Sequence, residues 1–211
     1  MALRLPGRPK DLEKREAILD AAQALFAQRG IDGCPIEAIA AQSGVSKVTV
    51  YANFGDKAKI FDAIVQRETD RLSRALACAS AEGATLEARL TRFGTALVEM
   101  MTAPCHLALD KAVSLEAQRN PEVGKRFFDA GPGQVCKMLA AIVAEARARG
   151  EVRIDDPDRA ARDLLGLWLG FNALERRLCG GCAVDATGLT AHIGRTTRLY
   201  LAACVATQGV A

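Results

Sequence analysis

Twelve consecutive residues, SKVTVYANFGDK (Ser46–Lys57), gather side chains suited to holding a polyanion and reading its edges. The hydroxyls of Thr49 and Tyr51 and the ammonium of Lys57 are donors that position a phosphate backbone without reading its sequence. Lys47, Val48, Ala52 and Asn53 are candidate base readers: Val48 and Ala52 can meet a thymine methyl, and the Asn53 amide can pair with adenine. A second chemical candidate is CGGC, Cys179 to Cys182. A Cys-x-x-Cys is a redox pair or half of a metal site. A zinc site needs four ligands, and only His192 and Cys204 follow, at spacings unlike a ribbon or finger. A thioredoxin-type site needs a βαβ context, which the pattern lacks. Two glycines between helices read better as a turn.

The elements that must carry Ser46–Lys57 send a mixed signal. Val45, Val48, Thr49 and Val50 are β-branched and favour a strand locally, yet Gly44 and Ser46 read as one helix's end and the next one's cap. Upstream, Ile18, Leu19, Ala22, Leu25 and Phe26 repeat at helical spacing within 11–29, predicting an amphipathic helix that Gly30 ends. Pro35 suits a first helical turn, and Ile36, Ile39 and Ala40 give the following helix an apolar face up to Gly44. A helix, a glycine turn and a second short helix form a helix-turn-helix. A helix over 46–54 is shorter than the ~12–15 residues an isolated helix needs, so packing must hold it. Each β-branched residue costs a few tenths of a kcal/mol, whereas burying a Val or Tyr returns ~1.5–3 kcal/mol. Packing outweighs propensity. Asp56 then caps a longer helix with Ile60, Phe61, Ile64, Val65, Leu72 and Leu76 along one stripe.

Beyond residue 83 the periodicity stays helical. Leu86, Leu90, Phe93, Leu97, Met100 and Met101 repeat until Pro104, a shorter helix stops at Asn120-Pro121, and Gly131-Pro132-Gly133 breaks or kinks PEVGKRFFDAGPGQV. Val135, Met138, Leu139, Ile142, Val143 and Ala146 mark a helix ending at Gly150. Asp156-Pro157 starts a helix to about Leu178 that is apolar nearly all round, and a last helix spans about 185–207. The expected fold is all-α, with about nine helices: an N-terminal three-helix helix-turn-helix domain and a C-terminal helical domain.

REAILDAAQALFAQRG followed by IEAIAAQSGVSKVTVYANFGDKAKIF resembles the DNA-binding domain of TetR/AcrR-type transcriptional regulators over about Arg15 to Phe61. The resemblance implies that 46–53, from Ser46, is the recognition helix entering the major groove, with phosphate contacts from Thr49, Tyr51 and Lys57. Two departures stand out. Val48 occupies a position often small in the family, and Cys34-Pro35 replaces a common hydroxyl cap, removing one phosphate donor and ~1 kcal/mol of helix stability. The resemblance further implies residues 1–55 as the DNA-binding domain with a basic tail, and 56–211 as a ligand-binding and dimerisation domain. FFDAGPGQV…LGLWLG also resembles the C-terminal domain of one AcrR-like subgroup. Phe93, Leu97, Met100, Met101, His106, Phe127, Cys136 and Trp168 lie on helices that enclose the cavity in relatives, and their apolar character suggests a hydrophobic or aromatic effector. Leu164, Trp168, Phe171, Ile193, Tyr200 and Cys204 are the expected homodimer interface.

Composition is that of a globular protein, and the modest net charge by itself identifies no partner. Of 211 residues, half are hydrophobic and a quarter charged, and the net charge is +3. Arg4, Arg8 and Lys10 give a basic start that can lie along phosphates. Seven scattered cysteines do not make a secreted disulfide framework, and most read as reduced core residues. No secretory signal is read, and LLGLWLGF is far short of the ~20 residues that span a bilayer. The expectation is a soluble, cytoplasmic, non-enzymatic regulator: a repressor binding a palindromic operator as a homodimer and released by a small hydrophobic ligand, with no catalytic residues, cofactor, metal or membrane partner. The alternative is a thiol-redox or metal sensor or enzyme using Cys179 and Cys182.

Overall fold

The computed structural model describes residues 8–78, 84–179 and 186–206. All regular structure among them is helical: α1 (Arg8–Arg29), α2 (Ile36–Ser43), α3 (Lys47–Phe54), α4 (Lys57–Cys78), α5 (Leu86–Thr102), α6 (Pro104–Arg119), α7 (Pro121–Ala130), α8 (Pro132–Ala148), α9 (Pro157–Cys179) and α10 (Ala186–Ala206). The all-α expectation holds. The helix beyond the anticipated nine is α7, because Gly131 ends it and Pro132 opens α8 as a separate helix. The basic start and the CGGC pair are left largely open: Arg4 and Cys182 lie outside the described residues, as do the side chains of Arg8, Lys10, Leu76 and Cys179.

The chain divides into two compact units, residues 1–68 with 103–131 and residues 69–102 with 132–211. This is not the linear division after residue 55, because α6 and α7 pack into the unit that holds the helix-turn-helix. In that first unit, Ile18, Leu19, Leu25 and Phe26 of α1 meet Ile39 of α2, Val50 and Phe54 of α3, Ile60, Phe61 and Ile64 of α4, and Leu109 and Val113 of α6. The Phe61 ring lies 6.4 Å from Phe26 and 6.1 Å from Phe127. Charge also ties this unit together. The buried Arg67 guanidinium donates to Glu16 (3.0 Å), Asp20 (2.7 Å) and Gln23 (2.7 Å), three residues on α1.

The second unit is held mainly by apolar contact. Leu90, Phe93 and Leu97 of α5, Leu139 and Val143 of α8, Leu164 and Trp168 of α9, and Leu189 and Ile193 of α10 share one core. Helices α5 and α10 approach closely at Gly94, where an added Cβ would stand 2.7 Å from Ile193 and 3.1 Å from Trp168. Trp168 satisfies its ring N–H by donating to Thr197 Oγ1 at 3.0 Å, as a buried indole must. Asp156 accepts from the Arg159 N–H at 3.0 Å, so Asp156-Pro157 does start α9. The side chains of four cysteines are described, none of them in a disulfide: Cys34 is buried, Cys136 and Cys204 are half-buried and Cys105 is exposed. The expectation of core cysteines is therefore met fully by Cys34 alone among the described residues.

Candidate nucleic-acid interface

The short helix α3 is assembled from both ends and from below. Gly44 ends α2 in the left-handed conformation (φ 68°), which a side chain adopts only with strain. Ser46 then sits extended at the N-cap, its hydroxyl accepting from the Thr49 N–H at 3.1 Å. Gly55 closes the helix with φ 80°, its N–H donating to Tyr51 O. Val50 and Phe54 are buried and Val45 partly so. Burial of the β-branched and aromatic residues on one side explains why this segment is a helix. Pro35 stands at the N-cap of α2 and supplies no side-chain cap, the loss expected from Cys34-Pro35. At the start of α4, Asp56 does cap the helix, accepting from the Lys59 N–H at 2.8 Å.

The opposite side of α3 faces outward. Val48 is 77% exposed and Tyr51 46%, with Ala52 exposed between them. A branched apolar side chain that far out of a packed unit has no folding role. The remaining expected contacts already have protein partners. Thr49 Oγ1 pairs with Ser46 Oγ at 2.8 Å, and Asn53 Nδ2 donates to Thr49 O at 2.9 Å. That bond uses one of the amide's two N–H groups, so the other N–H and Oδ1 can still meet an adenine edge. Lys47 is ion-paired with Glu37 of α2 and lies over the Tyr51 ring at 5.8 Å. The shared hydrogen bond pushes the Lys47 ammonium up and the Glu37 carboxyl down. Lys57 Nζ donates to the Asp32 carbonyl at 3.0 Å, with the Asp32 carboxylate at 4.0 Å.

These partners are what the sequence did not reveal. Glu37 and Lys47 are ten positions apart on different helices, and Asp32 and Lys57 are twenty-five apart. Neither pair has the i, i+4 spacing by which a helical ion pair can be read. Arg15 lies with its guanidinium 5.0 Å above the Phe54 ring, a further contact fixing the end of α3 that only the fold brings about.

The expected effector residues are divided between the two units. Phe93, Leu97 and Trp168 are enclosed in the second unit's core, with Met100, Met101 and Cys136 packed at its margin. His106 and Phe127 belong to the first unit. Burial holds the His106 imidazole below its ordinary value, against the opposing pull of Asp110 and Glu68. The second unit also carries a surface groove of about 620 Å³, lined by Thr85, Thr91, Arg92, Glu99 and Arg198 among others and by none of those eight residues. The expected interface set needs a similar correction. Leu164, Trp168 and Ile193 are fully enclosed and present no surface to a partner, because α9 and α10 use those stripes against their own core. Phe171, at 78% exposure, remains available, joined by Leu167, Leu174 and Leu199. Tyr200 and Cys204 are half-buried, and burial together with the neighbouring Cys204 pushes the Tyr200 hydroxyl up to about 12.

Comparison with known proteins bears on both units. Residues 18–64 match the model of bacterial regulatory proteins of the tetR family, and residues 88–204 match that of the AefR-like transcriptional repressor C-terminal domain. The HTH-type transcriptional repressor BepR of Brucella suis is 42% identical over 55 residues, 26% of either chain. The HTH-type regulator YdeS of Bacillus subtilis is 40% identical over 67 residues, 31% of this chain and 34% of that one. The chain thus spans about a third or less of the length of these relatives. Among solved structures, a TetR-family regulator from Mesorhizobium loti superposes with a TM-score of 0.79 at 26% identity, covering 94% of this chain and 98% of the other. The flavonoid-responsive regulator FrrA gives 0.70 at 27%, covering 90% and 96%.

Proposed function

The chain belongs to the TetR family of bacterial regulatory proteins, and from that premise we propose that it is a repressor that binds a palindromic operator as a homodimer and is released by a small hydrophobic ligand. The observation that carries the reading is the outward face of α3, where Val48, Tyr51 and Ala52 stand clear of the core. In this reading α3 lies in the major groove. Val48 and Ala52 meet thymine methyls there, while Lys47 and Asn53 reach base edges. Ser46, Thr49, Tyr51 and Lys57 sit along the phosphates and fix the register.

The chain up to Lys57 supplies this contact, and the helices beyond it carry effector binding and dimerisation. Phe171, Leu167, Leu174 and Leu199, with Tyr200 and Cys204 beside them, form the dimer face, since a cluster of exposed large apolar side chains is costly in water without a partner. Two such protomers read half-sites one helical turn apart, ~34–36 Å. FrrA, a structural neighbour, is named as flavonoid-responsive, which supports a hydrophobic, aromatic effector for this chain. Met100, Met101 and Cys136 are partly buried at the edge of the second core, and in this reading the effector is assigned to them.

The test is operator binding across a salt series with Tyr51→Phe and Lys57→Ala. Each variant should weaken binding, and Lys57→Ala should also reduce the salt slope by about 1. Affinities equal to the parent protein at every salt concentration would sink the reading.

A further inference from the structure

A lysine is poorly suited to reading bases unless something holds it. Its ammonium is a point charge on a flexible stem, and a duplex offers phosphate at every step, so a free lysine adds affinity for any sequence. Lys47, the first residue of α3, is not free. Its Nζ donates to Oε1 of Glu37 on α2 and lies over the Tyr51 ring at 5.8 Å. The two contacts hold the head group against both helices. Glu37 is itself in a fixed place. It stands in the first turn of α2, where a helix N-terminus favours a carboxylate. The connection between the helices is set as well: the Val45 N–H donates to the Ala40 carbonyl at 3.1 Å, and the Ser43 hydroxyl to the Ile39 carbonyl at 2.7 Å. Neither charged side chain serves the core, since Lys47 is 49% exposed and Glu37 62%. A pair so exposed adds little to stability in water. Laid against a duplex, it loses water and its attraction strengthens.

We infer that Glu37 is a positioning residue for base readout: it holds the Lys47 ammonium where it reads one base pair and keeps it off the neighbouring phosphates. This rests on the reading of α3 as the helix in the major groove. The carboxylate occupies one of the three N–H donors of the ammonium. The others remain for acceptors on a base edge, guanine O6 and N7 above all. The pair as a whole is neutral and adds nothing to the sequence-independent attraction for phosphate. Glu37 therefore lowers affinity for every duplex and raises selectivity at one position.

The experiment begins with the parent protein and a pool of duplexes randomised at the centre. The enriched duplex, and versions of it changed one base pair at a time, are then the probes for fluorescence anisotropy. The base pair read by Lys47 is the one at which Lys47→Ala removes discrimination, on the order of tenfold in the parent. Glu37→Ala should bring that factor close to one, tighten binding to an unrelated duplex, and leave discrimination at the other base pairs as in the parent. A merely structural role for Glu37 would not single out one base pair. In the Lys47→Ala protein, Glu37→Ala should alter no base preference. Both positions lie on the surface, so the variants remain folded for the comparison. The inference is overturned if Lys47→Ala removes discrimination at no base pair, or if Glu37→Ala keeps the parent's discrimination at that base pair. It is equally overturned if discrimination falls at all base pairs alike, or if Glu37→Ala changes base preference without Lys47, in which case the carboxylate reads a base itself. A parent protein that enriches no duplex overturns the reading of α3. Enrichment without coupling between positions 37 and 47 overturns only this inference.

Discussion

Trp168 and Val50 are almost equally hidden, at 0% and 1% exposure, but Val50 serves a helix of 8 residues and Trp168 the longer α9, whose helical backbone is interrupted at Gly170. Around Trp168 the second unit stacks apolar stripes from three other helices, α5, α8 and α10, with a hydrogen bond to Thr197 satisfying the indole. Around Val50 the first unit has two buried α3 side chains, a hydroxyl cap and a glycine at each end. Both units add ion pairs between elements far apart in sequence: Lys47 with Glu37, Lys57 with Asp32 and Arg67 with Glu16 and Asp20 in the first, Arg89 with Glu145 and Arg198 with Glu87 in the second. The difference teaches where each unit can give way. A core of interlocked stripes yields only to loss of volume. A short helix held at a few points can present its outer face, and its charged partners can be exchanged for a ligand's.

Three measurements sharpen or break this contrast. Trp168→Ala removes the largest enclosed side chain of the second unit and should destabilise the protein by about 3–5 kcal/mol in urea unfolding. A loss below about 1 kcal/mol would mean that the second core is not the rigid element described. Ser46→Ala removes the cap of α3 and the partner of the Thr49 hydroxyl. Its cost should be about 1 kcal/mol, with operator affinity falling more than global stability does, because the helix end frays at the interface. Equal losses in both would place α3 among the cooperative core elements.

The smallest effect concerns His106, whose imidazole burial holds below its ordinary 6.5. Above 6.5 the group is neutral in folded and unfolded chains alike and stability is undiminished. As pH falls from 6.5 toward the lowered folded value, the unfolded chain binds the proton first and stability declines. His106→Gln should flatten that limb of the pH–stability curve. A parallel curve would show that the imidazole ionises as freely in the fold as outside it.

Much of this was legible in residue order because periodicity reports burial. Ile18, Leu19, Leu25 and Phe26 lie inside as their spacing required, and Gly30 and Gly44 do end helices. The β-branched run of α3 was legible only after weighing packing against propensity. The interface partners were not legible, since Glu37 and Asp32 carry no local mark of the lysines they serve. The dimer set failed in part for a related reason. Helix α9 has apolar residues nearly all round, and periodicity does not say which stripe the protomer keeps, so Leu164 and Trp168 were grouped with Phe171 although the fold separates them.

What residue order determined by itself was the set of helices, their caps and breaks, the outward residues of α3 and the family that its motifs resemble. These follow from local geometry, since a 3.6-residue period, a glycine's positive φ and a side-chain cap are decided within a few positions. Tertiary structure alone decided that α6 and α7 join the helix-turn-helix unit, which apolar stripe of α9 is left outside, and that the lysines flanking α3 are held by Glu37 and by Asp32. Those outcomes depend on distances between residues remote in the chain, which are set when the hydrophobic faces find one another and not before.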